Sequence, residues 1–148
     1  MTGSDTVHAT AVAFAGRGVL IRGPSGAGKS ALALDLMAVG AVLIADDRVQ
    51  LTRRGDHILA SCPPVLSGLI EARGLGLLRA AVAGPTALAC VVDLDVATED
   101  RLPPRRTVTV LGCDLPLIYR PAGVSFAPAL LQYLRAGLAD ERARQSDD

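Results

Sequence analysis

Apolar and polar positions alternate in short runs through most of the chain, and only two stretches keep the wider spacing of a helix. Val7–Phe14 reads as a first strand, with Val12 and Phe14 on one face, and Ala15-Gly16-Arg17-Gly18 as the turn after it. Val19-Leu20-Ile21 is a short buried strand that runs straight into a glycine-rich loop. From Lys29 to about Val39 the segment KSALALDLMAV holds strong helix formers and no Gly or Pro, and Gly40 ends it. Ala41–Ala45 is the next apolar run, closed by Asp46-Asp47. Arg48–Thr52 and His57–Ser61 predict a hairpin joined by Arg53-Arg54-Gly55-Asp56, and Cys62–Gly68, with two prolines, predicts a loop. Leu69–Arg73 predicts a strand before Gly74-Leu75-Gly76, and Leu88–Leu94 a strongly apolar one. Pro103-Pro104 break the chain before a second hairpin of Thr107–Leu111 and Asp114–Tyr119. Ala127–Ala139 is the last helix.

Strands and helices in this order predict an α/β fold with a mixed central sheet and flanking helices. The 148 residues suit one domain, residues 1–140, followed by a polar, frayed tail over 141–148. Half the residues are hydrophobic but only 3% are aromatic, so Val, Leu, Ile and Ala must fill the core. A net charge of zero gives no basic surplus for nucleic acid or a membrane surface, and Arg101–Arg106 reads as a solvated loop. No window of about 18 apolar residues spans a membrane, and MTGSDTVHAT lacks the basic start and apolar centre of a signal peptide. Cys62, Cys90 and Cys113 are odd in number and widely spaced, which argues against a disulfide framework or zinc site and for the cytoplasm.

Gly23-Pro24-Ser25-Gly26-Ala27-Gly28-Lys29-Ser30 matches G-x-x-x-x-G-K-[ST] in full, between an apolar strand and a helix. Glycines let the backbone curl so that successive N–H groups point at phosphate oxygens, and the helix adds its positive end. Lys29 supplies a mobile charge near the transferred phosphoryl group, and the Ser30 hydroxyl can ligate Mg2+. The chain has fourteen arginines and one lysine, and that lysine stands where a flexible ammonium is needed.

Transfer to a hydroxyl also needs a base and carboxylates for magnesium. Asp46-Asp47 end a strand expected beside the P-loop strand; in an extended chain they point to opposite sides and take different roles, unless the pair is only a surface turn. Glu71 sits among apolar neighbours, as a site residue or as an edge carboxylate paired with Arg73. Asp93 and Asp95 end another strand and compete for the metal role, and His8 taken alone reads as structural.

Together GVLIRGPSGAGKS, LIADDRV and LIEARGLG, preceded by VHATAV, resemble the catalytic domain of bacterial HPr kinase/phosphorylase, in order from about Val7 to Leu94. Ile70–Gly76 is the most specific segment. The resemblance implies the P-loop kinase fold shared with phosphoenolpyruvate carboxykinases, and a hexameric assembly. It implies transfer from ATP, or pyrophosphate in some members, to a seryl residue of an HPr-type phosphocarrier, with phosphorolysis as the reverse. It implies Asp46 as general base, His8 as its assistant, Arg73 as the signature arginine, and Ser30 and Glu71 as magnesium ligands; Asp47 stands as a further metal candidate. The chain begins almost at His8, as in the short, core-only alphaproteobacterial form. It departs from the family at Ala31, often acidic there, and at Tyr119-Arg120-Pro121-Ala122-Gly123, where longer members carry R-P-G-R-N. Kinase activity is therefore implied more directly than phosphorolysis.

Two other readings share the P-loop. A small kinase acting on a metabolite needs a deep acceptor pocket, and a nucleotide-binding sensor would tolerate loss of Asp46. A GTPase is disfavoured because no N-K-x-D segment is present.

Overall fold

The protein is described by a computed structural model over residues 2–123 and 125–139. Its centre is a large mixed sheet in the order β1-β5-β6-β9-β3-β2-β4, with β11 also pairing with β9 and β10 with β11. The strands are β1 (Thr2–Val7), β2 (Thr10–Phe14), β3 (Arg17–Arg22), β4 (Val42–Ala45), β5 (Val49–Arg54), β6 (His57–Ser61), β9 (Thr86–Thr98), β10 (Arg106–Val110) and β11 (Cys113–Pro121). A separate ribbon pairs β7 (Leu69–Ala72) with β8 (Gly76–Arg79). Two helices, α1 (Lys29–Ala38) and α2 (Phe126–Ala136), complete the described elements.

The period-2 pattern decides which side chains meet which layer. Val12, Val19, Ile21, Cys90 and Val92 face the helices, where α1 buries Leu32, Ala33 and Leu36 and α2 buries Ala127, Leu130, Leu131 and Leu134. Those helical positions follow the i, i+3, i+4 stripe of an amphipathic helix. Ala11, Ala13, Leu20 and Val91 face the other way, into a second core closed by Val49, Leu51 and Ile58 of the outer strands and by Cys113 and Leu115.

Several boundaries differ from the sequence expectation for physical reasons. The expected strand Val7–Phe14 is split: residues 2–7 pair with β5, residues 10–14 pair with β3 and β4, and His8-Ala9 form the break where the chain changes partner. The polar start conceals β1, an edge strand with little apolar patterning. The first expected hairpin runs on to Arg54, leaving the two-residue turn Gly55-Asp56, and the apolar strand at 88–94 extends to Thr86–Thr98 because three neighbours share its length. β8 was not expected, and the loop after Cys62 contains a short 3-10 turn, Pro64–Leu66. Gly137, with φ of 76°, stops α2 three residues before the expected Ala139. The tail expected over residues 141–148 lies outside the described residues.

One correction bears on the site. The strand that ends at Asp46 is not beside the P-loop strand. β2 lies between β3 and β4, antiparallel to both, and brings Thr10 level with Ile21 at the end of β3.

Cys90 is fully buried, and that burial pushes its thiol up to about 12. At pH 8 only about one molecule in ten thousand then carries the thiolate. Mass-spectrometric alkylation should leave Cys90 unmodified in the native protein and label it once denaturant unfolds the sheet.

Candidate active site

Residues 23–30 curl between the end of β3 and the first turn of α1. Gly23 has φ of 152°, and a Cβ there would lie 3.2 Å from Ala27 Cβ and 3.3 Å from Leu94 Cβ. Gly28 caps α1 at φ of 100°. Neither place admits another residue without strain. The first turn of α1 contains no acidic residue of its own, and its positive end faces the loop. Lys29 is buried and folds back over the loop, donating from Nζ to the carbonyls of Gly23 at 2.7 Å and Pro24 at 3.1 Å.

The two aspartates diverge sharply. Asp46 is buried, and its carboxylate is held by three neutral donors. Oδ1 accepts the hydroxyls of Ser30 and Thr10, each at 2.8 Å, and Oδ2 accepts the backbone N–H of Glu71 at 2.9 Å. Among the described residues no cation pairs with it. Asp47 takes the left-handed conformation, φ 69°, which an aspartate tolerates better than most residues. Its carboxylate meets His8 Nε2 at 2.7 Å, and both side chains are mostly exposed, Asp47 62% and His8 59%. The expected partnership of His8 with Asp46 is therefore corrected: the histidine reaches Asp47. The strand break at residues 8–9 places the imidazole there.

These groups line one cleft of about 540 Å3, together with Thr10, Ser25, Gly26, Gly28, Glu71 and Arg73. An Nη atom of Arg73 lies 3.6 Å from where a Cβ on Gly26 would stand, so its guanidinium overhangs the loop. Pro24 and Ala27 complete the loop: Ala27 N–H donates to the Pro24 carbonyl at 3.0 Å, and Arg120 Nη2 donates to the Ala27 carbonyl at 2.8 Å. Asp93 is taken up by Arg22 Nε at 3.2 Å and by the N–H of Asp95, which removes it from the metal candidates.

Ser30 and Asp46 offer two hard oxygens 2.8 Å apart, and Glu71 lines the same cleft. That donor set fits Mg2+, which takes one or two carboxylates and keeps several waters. Sequence reasoning missed Thr10 and the hold of Arg120 on the loop, although Arg120 stood out as part of the altered R-P-G-R-N segment. Thr10 could have been suspected as a polar residue in an apolar strand; the contact of Arg120 with Ala27, 93 positions away, leaves no local signal.

Residues 1–97 match the family model described as HPr Serine kinase C-terminal domain. Over 74 residues, 49% of the chain, it is 51% identical to the HPr kinase/phosphorylases of Cupriavidus necator and Ralstonia pickettii and 49% identical to that of Burkholderia lata. The match spans 23% of the length of these relatives. The Hpr(Ser) kinase/phosphatase structure from Coxiella burnetii superposes with a TM-score of 0.78 at 25% identity, covering 97% of this chain and 96% of that one. The expected α/β kinase architecture is thus the one observed.

Arg120 holds the phosphate loop from behind. Arg120→Ala should weaken polyphosphate binding about three- to tenfold, measured by calorimetric titration, while the far-ultraviolet spectrum stays native.

Proposed function

The chain belongs to the HPr serine kinase C-terminal domain family, and on that premise we propose that it transfers the γ-phosphoryl group of ATP, with Mg2+, to a seryl hydroxyl of an HPr-type phosphocarrier protein. The observation that carries the choice of acceptor is the exposure of the His8–Asp47 pair, 59% and 62%. A kinase for a small metabolite would enclose its base in a deep pocket, whereas a serine on the surface of another protein needs a base it can approach from solvent.

In this reading the two aspartates exchange the roles expected from sequence. Asp47 is the general base. It takes the proton of the seryl hydroxyl as that oxygen bonds to the γ-phosphorus, and the bond from phosphorus to the β-bridging oxygen breaks to release ADP. His8 donates to Asp47 and holds its carboxylate toward the acceptor. Asp46 is too enclosed for an incoming alcohol and instead orients the Ser30 hydroxyl. Ser30, Asp46 and Glu71 would hold Mg2+, which neutralises charge on the β- and γ-oxygens. Lys29 exchanges its two carbonyl partners for phosphate oxygens, and Arg73 reaches the same oxygens. In the phosphorylase direction an oxygen of inorganic phosphate bonds to the phosphorus of phosphoserine as the seryl O–P bond breaks, protonated Asp47 gives its proton to the seryl oxygen, and pyrophosphate leaves. No helix of the described residues is long and apolar enough to cross a membrane. The proposal includes a cytoplasmic location beside the carrier and assembly into a homo-oligomer, a hexamer by the resemblance.

Two measurements test this. Incubation with ATP, Mg2+ and an HPr-type carrier should yield acid-stable phosphoserine on the carrier; phosphohistidine, or an unlabelled carrier, would favour the metabolite kinase. Lys29→Ala should slow the transfer by about a hundredfold or more, in line with loss of a principal charge on the transferring group, and unchanged turnover would refute the role given to Lys29.

A further inference from the structure

Thr10 is a polar residue in an apolar place. It opens β2 at 0% exposure, and its neighbours Ala9, Ala11, Val12 and Ala13 are all buried. Valine has nearly the same shape and carries no hydroxyl to bury, so the packing alone gives no reason for a threonine. The hydroxyl has one partner: Oγ1 donates to Asp46 Oδ1 at 2.8 Å.

That bond limits what Asp46 has left to give. A carboxylate offers about four lone-pair sites, shared between its two oxygens. Thr10 and Ser30 both donate to Oδ1, each at 2.8 Å, and fill that oxygen. The backbone N–H of Glu71 takes one site on Oδ2 at 2.9 Å and leaves the other open. Asp46 can therefore offer an incoming cation a single oxygen. Without the Thr10 hydroxyl, Oδ1 regains a free site and both oxygens become available.

The number of oxygens on offer separates two hard cations. Mg2+ is small, demands near-octahedral geometry and keeps several waters, so one oxygen from a carboxylate serves it well. Ca2+ is larger, collects more oxygens in looser geometry, and readily takes both oxygens of one carboxylate.

We propose that Thr10 is a positioning residue that sets metal specificity: its hydroxyl restricts Asp46 to one oxygen and so favours Mg2+ over Ca2+ beside the phosphate loop. Thr10 acts through Asp46 and holds no metal itself. The proposal rests on reading the cleft as a metal–nucleotide site and names the residue by which that site chooses its ion.

The test is calorimetric titration of the full chain with ATP in the presence of Mg2+, of Ca2+, or of EDTA. Thr10→Val should weaken binding with Mg2+ about tenfold, the scale of a lost partner to a metal-holding carboxylate. Binding with Ca2+ should be as tight as in the wild type or tighter, and binding in EDTA unchanged. Thr10→Ser keeps the hydroxyl and should keep the wild-type ratio of the two metals. If Thr10→Val does not fold, Thr10→Ala lacks the same hydroxyl and carries the comparison. Equal losses with both metals, an unchanged ratio, or a Thr10→Ser that behaves like Thr10→Val would overturn the role given to Thr10. A wild-type chain that binds ATP as tightly in EDTA as with Mg2+ would overturn the metal reading of the cleft, and the role of Thr10 with it.

Discussion

The site depends on one carboxylate and the three hydrogen bonds that hold it. Asp46 accepts from Ser30 at the head of α1, from Thr10 on β2 and from the backbone of Glu71 on β7. These elements also share the apolar core, through Val12, Leu32, Leu36 and Ile70, and the carboxylate fixes their polar ends around the open cleft. A buried carboxylate with its donors removed is costly, on the order of several kcal/mol, so the three bonds lock loop, sheet and ribbon into one geometry. They also leave a carboxylate that no cation pairs with among the described residues, beside the serine of the phosphate loop, a setting that suits a divalent ion.

The same arrangement frees its neighbour. With Asp46 turned inward, the backbone at Asp47 enters the left-handed region and its carboxylate turns outward to His8. Two consecutive residues thereby take opposite environments: one is buried and hydroxyl-bound, the other is exposed and histidine-bound. The sequence argument foresaw that adjacent strand-end aspartates should differ, because side chains alternate. Alternation says that they differ and not which one faces in, and the structure shows Asp46 inward and Asp47 outward.

Much of the fold was legible because it follows local rules. The phosphate loop, α1, the hairpin at Thr107–Tyr119 and the apolar strand at Leu88–Leu94 each announce themselves by period or by glycine. What escaped depends on partners distant in sequence. β1 is polar and becomes a strand only through β5. β2 inserts between β3 and β4, an order that no run of residues encodes locally. Arg120 reaches Ala27 across 93 positions. Of the candidate residues, the loop, Glu71 and Arg73 gather in one cleft as expected, whereas Asp93 is spent on Arg22 and Thr10 enters unannounced.

The division between the aspartates is most directly tested by comparing Asp46→Asn with Asp47→Asn in two assays, calorimetric titration with ATP and Mg2+ and single-turnover transfer to the carrier. The account predicts that Asp47→Asn binds nucleotide as the wild type does and fails at transfer, while Asp46→Asn loses magnesium-dependent binding as well. If Asp47→Asn still transferred at the native rate, or Asp46→Asn kept full binding while losing transfer, the roles drawn here would be contradicted.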